Sequence, residues 1–130
     1  MPINLGWYNN THNIMQLRFT EQWDVTDFIT ALDKRAQYIH NVPHTVHMIY
    51  DFSESLATPR DLLAGLQHAN RTLPQNQGIV VYLNANAVIK AFVLMAKRTG
   101  LPATKYLYNA DTREQALNII HEKAPRVHSA

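Results

Sequence analysis

Two short runs constrain this chain more than anything else in it. Val46-His47-Met48-Ile49-Tyr50 and Gly78-Ile79-Val80-Val81-Tyr82-Leu83 are apolar or aromatic at nearly every position. Such runs hide both faces, as strands of a helix-covered parallel sheet do. Parallel neighbours need a crossover between them, and the flanking segments carry helical periodicity. Before the first run, Val25, Phe28, Ile29, Leu32, Ala36 and Ile39 share one helical face. Asp24 or Thr26 can cap that helix, and Asn41-Val42-Pro43 stops it. Between the runs, 51–57 reads as a polar loop, and Thr58-Pro59-Arg60-Asp61 reads as a helix start with Thr58 as cap. Leu62, Leu66, Ala69 and Leu73 then form an inner stripe that Pro74 ends. After Asn84, a helix is predicted from about Asn86 to Arg98, closed by Gly100 and Pro102. A last short strand is predicted over Lys105 to Tyr108, and Asp111-Thr112-Arg113-Glu114 opens a final helix with Ala116, Leu117 and Ile120 inward.

The first 20 residues read as a hairpin. Ile3, Leu5 and Trp7 alternate with small or polar residues, 9–13 turns the chain, and Met15, Leu17 and Phe19 form the apolar face of the return strand. The order is therefore β-β-α-β-α-β-α-β-α. It predicts an α/β fold with a mixed, mainly parallel five-stranded sheet and four helices. No linker or repeat divides the 130 residues, so 1–130 is expected to be one domain, with 1–20 as its hairpin and 125–130 as a loose tail.

The chain has no cysteine, which excludes a disulfide framework, a thiolate zinc site and a cysteine nucleophile. Apolar residues at 46% and charged residues at 17% are a globular balance rather than a disordered one. Lys and Arg are scattered and the net charge is +2, so no basic stripe for nucleic acid is expected. The start, Met1-Pro2-Ile3-Asn4, has neither a basic region nor an apolar run, and the stretch from Ala85 to Ala96 is too short to span a bilayer. A cytoplasmic protein with no membrane partner is the expectation.

Several segments resemble the STAS/SpoIIAA-like group, the anti-sigma-factor-antagonist type of domain, and more closely a bacterial family of this length within it. They are Trp7, Arg18-Phe19-Thr20-Glu21-Gln22-Trp23, the stretch from Val46 to Ser53, Thr58-Pro59, Asn76 to Val81, and Thr112 to Leu117. The resemblance covers nearly the whole chain, and its motifs specify a fold better than an activity. It implies a STAS-like fold and a non-enzymatic regulatory module that binds a protein partner. Many such domains carry a phosphorylatable serine at the start of the helix after the third strand, in an Asp-Ser-Ser-Gly context. The corresponding place here is Ala57-Thr58-Pro59-Arg60, which makes Thr58 the implied phosphosite. The acidic residue before it and the glycine after it are absent. Asp51-Phe52-Ser53 resembles the Asp-Leu-Ser that precedes the site in the family.

Three sets of residues stand out as candidate sites. In parallel sheets, ligands sit at the carboxyl ends of strands beside helix N-termini. Those ends supply Asp51, Ser53, Ser55 and Thr58, then Asn84 and Asn86, then Asn109 and Asp111. This polar rim is the candidate surface for a partner, or alternatively for a small ligand such as an anion or a nucleotide. The same residue types also cap helices and turn chains. His40, His44 and His47 lie close in sequence, but they span a helix, a proline turn and a strand with no carboxylate among them, so no metal is expected. Hydrolase elbows, Walker loops and zincin motifs are absent and there are four glycines, so neither catalytic residues nor a cofactor is expected. The helix from Asn86 to Arg98 is apolar beyond one face. With Val88, Phe92, Met95 and Ala96 placed inward, Val93 and Leu94 fall on its flanks beside Lys90 and Lys97 and become candidates for self-association as a homodimer.

Overall fold

The computed structural model describes residues 2–57 and 59–127. An antiparallel hairpin, β1 (Ile3–Trp7) and β2 (Ile14–Glu21), is followed by α1 (Val25–His40), β3 (Val46–Ser55), α2 (Leu62–Arg71), β4 (Gln77–Leu83), α3 (Ala87–Lys97), β5 (Leu107–Ala110) and α4 (Arg113–Lys123). The sheet runs β1-β2-β3-β4-β5, and every pair after the hairpin is parallel. This is the element order and mixed sheet that the sequence predicts.

The layering follows from that order. Each parallel strand is laid beside the previous one in a single direction, so right-handed crossovers place α1, α2 and α3 on the same face. α4 closes no crossover and covers the opposite face. The two cores differ accordingly. Met15, Leu17, Phe19, Met48 and Val80 pack towards the first three helices, with Phe19 stacked on Phe52 at 4.3 Å. Ile49, Ile79, Val81, Leu83 and Ala110 pack towards Ala116 and Ile120 of α4.

Local chemistry sets the element ends. Asp24 and Asp27 form a reciprocal capping box at α1, and the side chains of Asn86 and Thr112 cap α3 and α4. In the hairpin, Asn9 Oδ1 accepts from the N–H groups of Asn13 and Ile14, both at 3.2 Å, and Trp7 stacks on His12 at 4.4 Å. Within the sheet, the register between β3 and β4 shifts at Val46/Met48. There His47 Nδ1 accepts the Ile79 N–H at 2.9 Å, a ring nitrogen standing where a carbonyl would otherwise serve. Gly78 makes room for it: a Cβ at that position would lie 2.5 Å from His47 Nδ1.

Four expectations need correction. β3 does not end at Tyr50. Residues 51–55 continue it, because Asp51 pairs with both Arg18 and Leu83, and Glu54 and Ser55 pair with Thr20 and Glu21. Pairing on both sides at Asp51, and with β2 beyond it, outweighs the weak strand preference of Asp and Ser. α2 begins at Leu62, after Asp61 takes a left-handed conformation (φ 60°) without a side-chain cap, so Pro59 and Arg60 precede the helix. Thr58, the expected cap, lies outside the described residues. β5 is displaced to Leu107–Ala110, because a 3₁₀ turn at Pro102–Thr104 carries the chain past Lys105 before Leu107 pairs with Val80. Finally, α3 is rotated relative to expectation. Ile89, Val93 and Ala96 are its buried residues, while Val88 and Met95 face outward.

Candidate functional site

The extension of β3 decides what the polar rim becomes. Asp51 lies on the α4 side of the sheet, two residues beyond Ile49, and is 7% exposed. The Thr112 cap, whose Oγ1 accepts from the Gln115 N–H at 3.1 Å, fixes the first turn of α4 and sets Arg113 over the sheet. Arg113 Nη2 donates to Asp51 Oδ2 at 2.8 Å, and Nη1 donates to Gln16 Oε1 on β2. The guanidinium also stands 5.4 Å from the ring centroid of Tyr8. Asp51 Oδ1 accepts the Ser53 N–H at 2.9 Å, so both carboxylate oxygens are engaged from within the fold. Ser53 Oγ in turn accepts from Asn84 Nδ2 at 2.8 Å, and Asn84 takes the left-handed conformation (φ 56°) that turns the chain after β4.

Asp51, Ser53 and Asn84 are thus brought together, with Gln16 and Arg113 as members that the sequence reading missed. A signal for Arg113 was available. A cation in the first turn of a helix opposes the helix dipole, so it is held there by a partner elsewhere.

The remaining rim residues serve other neighbours. Ser55 Oγ accepts from Trp23 Nε1 at 2.7 Å and ties β3 to the entry of α1. Asn86 Oδ1 accepts the Ile89 N–H at 2.9 Å as the cap of α3. Asp111 is exposed, lies 3.7 Å from Lys90 Nζ, and donates its backbone N–H to Gln115 Oε1 at 2.8 Å. Thr58, as the implied phosphosite, lies outside the described residues.

The three histidines do not converge. His47 is buried in the sheet, His44 Nε2 lies 2.9 Å from His12 O, and His40 is exposed at the end of α1. Among the described residues, no group of three or more His, Asp or Glu side chains is arranged to hold a metal. No described helix is long and apolar enough to cross a membrane.

The outward face of α3 is the other notable surface. Val88, Leu94 and Met95 are 52%, 62% and 66% exposed. Val93, expected beside Leu94 on a self-association flank, belongs to the core instead, since α3 packs on the sheet through Ile89 and Val93. Every position of this helix except Lys90 and Lys97 is apolar, so either rotation satisfies helical periodicity, and only the packing chooses between them. Leu56 and Leu63, on either side of the β3–α2 connection, are also exposed.

No protein-family model and no curated protein sequence matches the chain. Its fold is similar to that of SpoIIAA. It superposes on the Bacillus cell fate determinant SpoIIAA in its phosphorylated form with a TM-score of 0.58, at 12% identity, over 91% of this chain and 98% of that one. It likewise matches the anti-sigma factor antagonist SpoIIAA in its unphosphorylated form with a TM-score of 0.59, at 11% identity, over 92% of this chain and 97% of that one. The likeness is one of fold, spanning nearly the whole length of both molecules.

Proposed function

We propose that this chain is a regulatory protein-interaction module that acts by docking and not by catalysis. The observation that carries the reading is the apolar outer face of α3, where three large side chains, Val88, Leu94 and Met95, are each more than half exposed. Large exposed apolar patches mark interaction surfaces. The fold supports it: the proteins it resembles are described as a cell fate determinant and an anti-sigma factor antagonist, and an antagonist of this kind acts on another protein. The polar rim supports it from the other side, because Asp51, Ser53 and Asn84 satisfy one another and Arg113 and leave no free acid–base pair.

The chemistry of α3 also bears on the partner. Lys90, Lys97 and Arg98 border the stripe, and the helix carries no acid. Two copies meeting through α3 would set these cations against each other, whereas an apolar ridge with an acidic rim complements them. A partner of different sequence therefore fits this face better than a second copy.

The test compares the wild type with Leu94→Glu and Met95→Glu variants of unchanged melting temperature. A protein cross-linked through α3 peptides of the wild type, and lost from both variants, is the expected result. A partner retained by both variants would sink the reading. Solution mass from light scattering decides the self-association expected at Leu94: a dimer that becomes a monomer in Leu94→Glu would replace the foreign partner with a second copy. Since SpoIIAA is known in phosphorylated and unphosphorylated forms, Thr58 is the position we assign to any such switch here. Intact mass of the denatured protein, with and without Thr58→Ala, tests it directly.

A further inference from the structure

The face beneath α1, α2 and α3 is not completely filled. Between the strands and the helices lies a cavity of about 100 Å³. Phe19, Tyr50 and Tyr82 form its floor, and Phe28, Leu66 and Phe92 form much of its roof. α2 is a light cover. Gly65 is its only buried residue, and Leu63 points away at 53% exposure. Gly65 lets the helix settle on α1, since a Cβ there would stand 2.7 Å from the Phe28 ring.

Arg35 borders this apolar space and is 1% exposed. Its Nε donates to Leu32 O at 3.2 Å and its Nη1 to Gln77 Oε1 at 3.1 Å. Its Nη2 donates to Thr72 O at 3.1 Å and to Thr72 Oγ1 at 2.8 Å. Every one of these acceptors is neutral. Among the described residues, no ion pair includes Arg35. A guanidinium removed from water without a counter-charge is costly, and hydrogen bonds to neutral oxygens offset only part of that cost. The positive charge of Arg35 acts on the neighbouring Tyr50 hydroxyl, against the effect of burial. Tyr82, the register partner of Tyr50 on β4, lines the same cavity. Burial pushes both phenols above the usual tyrosine range, so both stay protonated and able to donate.

We propose that this cavity is a binding site for a small apolar monocarboxylate, with its carboxylate set against Arg35 and its hydrocarbon between Phe19, Phe28 and Leu66. The anion supplies the charge that the fold withholds from Arg35, and the aromatic walls take the chain. The size restricts the class. A dry cavity of about 150 Å³ holds the six carbons of benzene, so this one holds roughly four or five non-hydrogen atoms including the carboxylate, which is the scale of acetate or propionate. The proposal is independent of the docking face of α3.

Propionate, with the uncharged propionamide as its match in shape, tests the idea on the full chain. Trp23 lines the cavity and reports occupancy by fluorescence once Trp7 is replaced by Phe. Propionate should give a saturable change, and the amide should bind about tenfold more weakly or worse, as loss of a charge-assisted pair implies. Arg35→Met should remove the preference for the acid, and Leu66→Trp, which fills the cavity and leaves Arg35 in place, should remove binding. Should Arg35→Met fail to fold, the acid–amide comparison and Leu66→Trp decide the matter alone. No response to the acid, an equal response to the amide, or binding that survives Leu66→Trp overturns the proposal. Leu94→Glu should leave propionate binding unchanged, which separates a failure here from a failure of the docking reading.

Discussion

Asp51 and Arg35 are both charged, both less than 10% exposed, and on opposite sides of the same sheet. On the α4 side, Asp51 meets Arg113, which is itself 39% exposed at its side chain, so the pair sits at the margin of the core and keeps contact with water. On the other side, Arg35 lies deep among α1, α2 and β4 and meets only neutral acceptors. The surrounding cores differ in the same sense. α4 packs on small and branched aliphatic side chains such as Ile49, Val81 and Ala110. The three-helix side is built from aromatic rings, with centroids 4.3 to 6.2 Å apart, and leaves a cavity of about 100 Å³ among them. One face is chemically self-contained. The other leaves a charge and a cavity side by side, and that is where a ligand is expected.

The contrast can be broken in four ways. Ile49→Ala, on the filled face, should cost about 2–5 kcal/mol in urea unfolding, whereas Leu66→Ala, at a position that is only partly buried, should cost clearly less. Equal losses would mean that the two faces are packed alike. Gly78→Ala should cost about 1–3 kcal/mol, since the new methyl must displace the His47 ring from the Ile79 N–H; a neutral effect would show that the ring has room to move. Asp51→Asn keeps an acceptor for Ser53 but ends the ion pair, and because Arg113 is more than a third exposed the loss should stay near 1 kcal/mol. A loss several times larger would move Asp51 into the same class as Arg35.

The smallest effect is alkaline. Tyr50 and Tyr82 hold their protons in the fold beyond the ordinary tyrosine value, chiefly because burial disfavours the phenolate. The unfolded phenols ionise first, at a pH of about 10, so the fold is the better proton binder above that point and stability falls as pH rises. Tyr50→Phe should flatten that decline in thermal melts taken on either side of the unfolded value. An unchanged slope would place the titration elsewhere.

Only part of the candidate site was legible in the sequence, and the reasons for the misses are specific. Arg35 was not among the residues read as the inner face of α1, although it stands three residues after Leu32 and four before Ile39, because a cation is not expected on an apolar stripe. What spacing could not supply was the set of acceptors, which come from Thr72 and Gln77 far along the chain. Of the rim residues, Asp51, Ser53 and Asn84 come together, while Ser55, Asn86 and Asp111 serve other neighbours. Their partners were not visible, because Arg113 lies 62 positions from Asp51 and 97 from Gln16. Val93 was misplaced for a different reason: α3 is apolar on nearly all sides, and a pattern without a polar face has no phase.

What the sequence by itself determined is the succession of elements and its consequence. Runs apolar on both faces, separated by helical stripes, demand a parallel sheet, and chain chirality then places three helices together and leaves the last one opposite. Capping residues such as Asp24, Asn86 and Thr112 mark three of the helix starts through bonds within four residues. Only the tertiary structure decided how far β3 runs, which way α3 faces, and that Arg35 borders a cavity without an opposite charge. Those outcomes rest on ladders, packing and hydrogen bonds between residues distant in the chain, and no local pattern encodes them.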